Sequence, residues 1–393
     1  MMLLKKIGKI STGNTPSKKH REYYNSDDIG FVKPDSISDT VITEINKTSS
    51  FISENAREKA RVAPKGSILI TCIGSVGKVG IVTDGEYAFN QQINAIMPNK
   101  DVNQKYLAYN LLYNKQRLIN IANAPVVPIV NKTQLENFEI NFDSNIDTQK
   151  KIVEQLDDIA LVIDKRKKQL DALDELIKAR FIEVFGDAIH NQMEWPVKKL
   201  GELSSQINSG NTPKGGQQVY VDKGITFFRS QNVWKNKLEM DDIAYIDEAT
   251  HASMSRSSLK HGDILMTKTG RINTENSSLG RAALYMGKDD AANVNGHVYF
   301  IRLKPGINNK FILRILISDE YRDYIRSVCV GGIDKRQLNK EHIEDFPIIC
   351  PPVKLIENYI AFTEQADKSK AVIEKSLKES ETLQASLMQK YFS

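Results

Sequence analysis

Hydrophobic positions along this 393-residue chain follow two regimes, and each regime occurs twice. Short β-branched runs headed by glycine, "GSILIT" at 66–71 and "GDILMT" at 262–267, have the length and make-up of buried strands. Ile93–Met97, "HVYFIRL" at 297–303 and "FEINF" at 138–142 read the same way. Helices are expected over 104–122 and 308–328, with long loops rich in Asn, Ser, Gly and Thr elsewhere. Then the period lengthens. From residue 148 apolar side chains recur at steps of mostly four and three: Ile152, Leu156, Ile159, Ile163, Leu170, Leu173, Ile177, Phe181 and Val184. Arg166 fills one slot of this heptad seam, and Gly186 with Asp187 closes it. A second, more broken seam runs over 354–392 through Ile356, Ile360, Ala366, Ile373, Leu377, Leu383, Leu387 and Tyr391, with Lys370 and Ser380 near core slots.

The recurrence extends to the letters. "GNTP" stands at 13–16 and at 210–213, an offset of 197. "KKIGKIS" at 5–11 answers "KKLGELS" at 198–204, and "IGFVKPDS" at 29–36 answers "ITFFRSQN" at 225–232. The two glycine-headed strands follow at an offset of 196. After an insertion in the second copy, "NKTQLENFEI" at 131–140 answers "DKRQLNKEHIEDFPI" at 334–348. Collinear matches over the whole length define a tandem duplication, with a period far longer than that of solenoid repeats.

The expected class is α+β: two similar mixed α/β lobes joined by two long helices. The division is a first lobe over 1–147, a helix over 148–186, a second lobe over 187–350 and a helix over 351–393. Each seam needs a partner, and the other copy's helix is the nearest one. Paired in that way, the helices form an antiparallel coiled coil with pseudo-twofold symmetry. Two diverged lobes so related suit a partner whose own strands are antiparallel, as in dimeric readers of palindromic DNA.

Composition changes the picture little. At 40% hydrophobic and 26% charged residues the chain reads as globular, and a net charge of +5 permits a polyanionic partner without demanding one. No run reaches the length of a membrane span, and the apolar start "MMLLKKIGKI" is too short for a secretory signal, so a cytoplasmic location is expected. Cys72, Cys329 and Cys350 lack metal spacing and are odd in number, which favours reduced buried thiols.

With these motifs in order twice over, the chain resembles the specificity subunits of type I restriction–modification systems along its full length. The resemblance rests on "TGNTPS" and "SGNTPK", on "WPVKKLGEL" at the start of the second lobe, and on the paired "GSILIT" and "GDILMT" strands. It rests also on helices ending in "RFIEVFG" and "LMQKYFS". The chain departs from the family in starting almost at the first lobe, and in having "PP" only before the second helix, at Pro351–Pro352.

The resemblance implies that each lobe is a target recognition domain for one half of a bipartite double-stranded DNA sequence. The helices would be spacers that set the gap and dock two modification (methyltransferase) subunits, with ATP-dependent restriction subunits in the larger assembly. It also implies a chain without catalysis or cofactor of its own. S-adenosylmethionine, ATP and Mg would belong to the partners.

Residue types then suggest contacts, since Asn and Gln pair bidentately with adenine while Arg and Lys reach guanine or phosphate. In the first lobe the candidates are Lys18, Lys19, Arg21, Lys33, Lys78, Gln91 and Gln92, with Asn14 and Thr15 beside them. In the second they are Lys214, Arg229, Gln231, Asn232, Arg271, Arg281, Asn295 and His297, beside Asn211 and Thr212. "GSVGK" at 74–78 is no P-loop, because Val79 stands where Ser or Thr is required. Loops of its kind are either solvated hairpins or places from which Lys78 meets phosphate. GNTP reads as a structural turn rather than a reader, and the basic run Lys165–Lys168 as a solvated helix face rather than a DNA contact. Two other readings are a recognition half of a fused methyltransferase, for which no catalytic motif is found, and a coiled-coil adaptor indifferent to DNA sequence.

Overall fold

Both heptad seams fold as unbroken helices of 40 residues, Ile146–Phe185 and Val353–Phe392. The computed structural model describes residues 1–122, 127–271, 274, 276–332 and 335–393. Contacts divide the chain into two compact units, Met1–Gln169 with Ile373–Ser393, and Leu170–Val372. Each unit therefore contains one lobe, half of the first long helix and half of the second.

In the first lobe, strand Ile93–Pro98 pairs antiparallel with Gly8–Thr12 on one side and with Ile68–Thr71 on the other. Val79–Val82 and Thr43–Ile45 complete this five-stranded sheet. A second sheet places Ile29–Val32 parallel to Glu86–Phe89, with Val32 opposite Phe89. The second lobe repeats the plan. Val298–Leu303 lies between Ser204–Ser209 and Ile264–Thr267, and Ile225–Phe228 runs parallel to Ala292–Val294, with Phe228 opposite Val294. Ile68–Thr71 and Ile264–Thr267 are buried at every position. Apolar contacts on both faces explain why their sequences show an unbroken apolar run rather than alternation.

The expected helices over 104–122 and 308–328 are each two helices: Gln104–Tyr113 and Lys115–Asn120, then Asn309–Leu316 and Asp319–Val328. Buried Asn114 breaks the first by folding its side-chain amide back onto Asn110. Ser318 restarts the second by capping the amide of Tyr321. The strand expected at 138–142 shrinks to Glu139–Ile140, paired with Met2–Leu3.

The fold also corrects a register. Phe138 and Phe346 accept equivalent bonds from Leu4 and Leu200, so 131–140 answers the ten residues Asn339–Ile348, "NKEHIEDFPI". The "DKRQL" at 334–338 is thus the inserted part, and Asp334 lies outside the described residues.

Within each unit the half-helices run antiparallel. In the first unit Gln155 meets Tyr391 and Lys167 meets Glu381 at 3.3 Å. In the second, Asp174 meets Lys370 at 2.5 Å, and the Tyr359 hydroxyl donates to the carbonyl of Ile177 at 3.4 Å. Ile152, Leu156, Ile163 and Ile177 are buried; Ile159, Leu170, Leu173, Ile373, Leu377 and Leu387 are partly so. Leu383 is not a seam residue, for it is 52% exposed while Ser380 and Gln384 are half-buried. The ends of the helices bury most. Phe392 packs on Tyr106 of the first lobe at 5.3 Å, and Phe185 packs on Phe311 of the second at 5.0 Å.

Candidate nucleic-acid interface

The GNTP tetrapeptide forms the same corner in both lobes. Gly13 donates to Ile93 O and Gly210 to Val298 O. A Cβ on Gly13 would lie 2.1 Å from the carbonyl of Asn90, and one on Gly210 would lie 1.9 Å from that of Val294. Only glycine permits so close a backbone approach. Asn14 is occupied as well: its carbonyl oxygen accepts from Arg61 N, and its amide donates to Lys59 O. The corner is a joint, and in the first lobe Asn14 and Thr15 are engaged within it.

Around this joint the first lobe gathers positive charge. Lys18, Lys19 and Arg21 are exposed just beyond it. Gln91 is exposed and accepts from Thr15 at 2.7 Å, while Gln92 accepts from Asn90 at 2.9 Å. Lys33 bonds Ser50 at 2.9 Å, and Lys78 reaches Pro34 O, next to Lys33 in the chain, at 3.4 Å. Sequence reasoning missed Lys59 and Arg61. Their backbone contacts with Asn14 bring them to the corner, and no local pattern near 60 announces it.

The second lobe places Lys214 exposed beyond its corner, and Arg271 exposed after Gly270. Asn295 accepts from His297 N at 3.0 Å, just as Asn90 accepts from Gln92 N. Asn295 is thereby used in the turn, and His297 is exposed. Two candidates change role. Asn232 is buried, 1% exposed, with its amide on the carbonyls of Glu239 and Asp242 and its oxygen on Arg229 N. Arg229 has a side chain only 14% exposed and is paired with Asp242 at 3.0 Å. As placed, both brace the 229–242 loop through their bonds to Glu239 and Asp242. Hydrogen bonds from Gln231 and Arg229 hold the Asp242 carboxyl below its usual range.

Lys78 and Arg281 occupy one structural position. Thr71 N donates to Lys78 O and Thr267 N to Arg281 O, each after a left-handed glycine, Gly77 and Gly280. Arg281 differs in its setting: its guanidinium carbon lies 3.8 Å from the ring centroid of Trp234, an indole the sequence reading did not single out. Burial and the nearby Arg322 lower its pKa from the usual value. No cluster of three or more His, Cys, Asp or Glu able to hold a metal occurs among the described residues, and none of their helices is long and apolar enough to cross a membrane.

Comparison with known proteins agrees with this layout. Residues 1–175 match the family model described as the type I restriction modification DNA specificity domain. The type I restriction enzyme MjaIX specificity subunit of Methanocaldococcus jannaschii is 26% identical over 386 residues, covering 91% of this chain and 84% of that one. The StySPI specificity subunit of Salmonella potsdam is 21% identical over 86% of this chain and 76% of its own length. A crystal structure of the type I S subunit from M. genitalium superposes with a TM-score of 0.58 over 100% of this chain and 95% of that one, at 14% identity, a likeness of fold. The chain resembles type I restriction–modification specificity subunits throughout its length, and its first 175 residues match the model of their DNA specificity domain.

Proposed function

We propose that this chain is the sequence-reading subunit of a DNA adenine methyltransferase and restriction complex, each lobe taking one half of a bipartite site. The observation that carries this reading is the duplicated corner. The same Gly–Asn–Thr–Pro joint, the same Asn turn at 90 and 295, and the same Gly–Lys or Gly–Arg loop recur in both lobes under different polar side chains. A shared scaffold with unlike contact residues fits two half-sites of unlike sequence.

The long helices serve as spacers and as the dock for two modification subunits. Their outer faces support this, since Leu161, Val162, Leu176, Ile182 and Val372 are 42–70% exposed. A groove of about 980 Å³ in the first unit has a mixed lining, with Val41, Ile42, Leu161 and Met388 beside Glu44, Asp158 and Glu381.

Mapping methylated adenines in DNA treated with this chain, its modification subunit and S-adenosylmethionine tests the proposal. The expected result is one interrupted motif with an unread gap of fixed length, and no methylation when the chain is omitted. A contiguous motif, or methyl transfer by the pure chain, would contradict it.

A further inference from the structure

Trp234 stays 41% exposed, yet nothing about it is loose. It sits on a two-stranded hairpin, Val233–Trp234 with Lys237–Leu238, in which Trp234 faces Lys237. Asn236 takes the left-handed conformation at the tip, φ 59°, and donates to Ala282 O at 2.8 Å. That bond ties the hairpin to the residue after Arg281. The indole Nε1 donates to Gln231 O at 2.9 Å, which sets the ring's plane. Arg281 is fixed from its own side, its Nε donating to Ser277 O at 3.1 Å and its Nη2 to Asn276 O. The result is a guanidinium placed over an aromatic face, with both members tied to backbone acceptors.

We propose that Arg281, placed over Trp234, reads a guanine edge in the DNA half-site of the second lobe, and that Trp234 is its positioning residue. This rests on the function proposed above. A phosphate contact requires only a point charge, which lysine supplies. A fixed guanidinium plane matters where two parallel N–H donors must meet O6 and N7 of guanine together, the commonest specific pairing in the major groove. Stacking on an indole adds cation–π attraction and restricts the side chain before DNA arrives.

The first lobe supplies the contrast. At the same backbone position it carries Lys78, whose single ammonium points to Pro34 O at 3.4 Å. The residue 196 positions before Trp234 is Ser38, so no indole stands there. An indole-stacked guanidinium in this loop is therefore a property of the second lobe alone.

The test uses the complete complex with its modification subunit, carrying wild-type chain, Arg281→Lys, Trp234→Ala or Trp234→Phe. Methylation is measured on a library in which each base position of the site is varied in turn. Exchange of the first lobe assigns the halves, and melting curves separate misfolding from misreading. We expect guanine to be preferred at one position of the second lobe's half. Arg281→Lys, which keeps the charge, and Trp234→Ala should each reduce that preference roughly 10- to 100-fold. The first lobe's half should be unchanged, and Trp234→Phe should retain most of the preference. If Arg281→Lys does not fold, Trp234→Ala against Trp234→Phe carries the same comparison.

Undiminished guanine preference in Trp234→Ala, or equal weakening on all sequences by both variants, overturns the inference. An uninterrupted motif in the wild type would overturn the underlying function instead, and is seen before any variant is compared.

Discussion

Tyr106 and Phe311 occupy the same place in the two lobes, three residues after the capping Asn103 and Asn308, yet they hold the long helices by different chemistry. In the first unit a polar network surrounds the ring contact between Tyr106 and Phe392. The Tyr106 hydroxyl accepts from Asp143 N at 3.1 Å, Tyr109 donates to Asp157 at 2.7 Å, and Lys105 reaches the same carboxylate at 2.8 Å. Fully buried Gln149 bridges Asn103 N and Asp143 O, both at 2.7 Å. In the second unit the joint is aromatic: Phe311 meets Phe185 at 5.0 Å and Phe181 at 6.0 Å, and Tyr359 closes on Phe185 at 5.4 Å. Ile356 stands where the first copy has Gln149, 207 positions earlier.

One ion pair survives in both, Lys105–Asp157 at 2.8 Å and Lys310–Glu364 at 2.6 Å. The duplication has kept the geometry of the joint and its ring contact, and rewritten the polar chemistry around them. Pressure on geometry rather than chemistry is what a spacer would experience, since it must hold a lobe at a set angle by any means.

The largest expected effect breaks the aromatic joint. Phe185→Ala removes a fully buried ring, at a cost of about 5 kcal/mol, the upper end for such truncations. Phe392→Ala, its counterpart at the end of the second helix, should cost about 3 kcal/mol, because a terminal turn can relax around the loss. Both tryptophans, Trp195 and Trp234, lie in the second unit. Denaturant titration followed by fluorescence should therefore register Phe185→Ala strongly and Phe392→Ala weakly. Equal shifts in the fluorescence midpoint would show that the two joints do not respond separately.

A smaller effect tests the polar network. Gln149→Ala leaves a buried N–H and carbonyl unpaired and should cost about 2–3 kcal/mol by circular dichroism. If Gln149→Leu were as stable as wild type, the joint would tolerate the second unit's apolar solution, and the contrast drawn here would be one of history alone.

Smallest in stability, though not in function, is the double change Lys18→Ala with Lys19→Ala. Both side chains are exposed, so folding should be unaffected. As phosphate contacts they should weaken binding by the complex alike on all sequences. Their loss should flatten the slope of log affinity against log salt by up to about two, since each neutralised phosphate contributes about 0.9. A loss confined to one base position would make them readers instead.

Much of this was legible before the structure. The repeat, the strands at 66–71 and 262–267 and both long helices follow from periodicity and matching letters, because buried strands and seams permit few residue types. Helix ends were not legible. A heptad reading follows one seam, and it passed over Phe185, Phe392 and Tyr359, which leave that seam to dock on the lobes. The same habit chose apolar Leu383 where polar Ser380 and Gln384 are half-buried.

Within the candidate interface, residue type suggested Arg229 and Asn232 as readers, while folding turned both into braces for their own loop. Asn and Arg satisfy a turn as readily as a base, and only the surrounding carbonyls decide. Lys59 and Arg61 joined the corner across more than 40 positions, through backbone pairing that no window of sequence displays. Trp234 escaped notice because its significance lies in Arg281, which the sequence sets 47 residues away.

The central claim is that the two lobes read separate halves of one DNA site. It is tested most directly by replacing residues 1–147 with the first lobe of another specificity subunit and mapping methylated adenines with the same modification partner. The account predicts that one half of the motif changes while the other half and the gap stay as they were. A motif altered in both halves, or in neither, would contradict it.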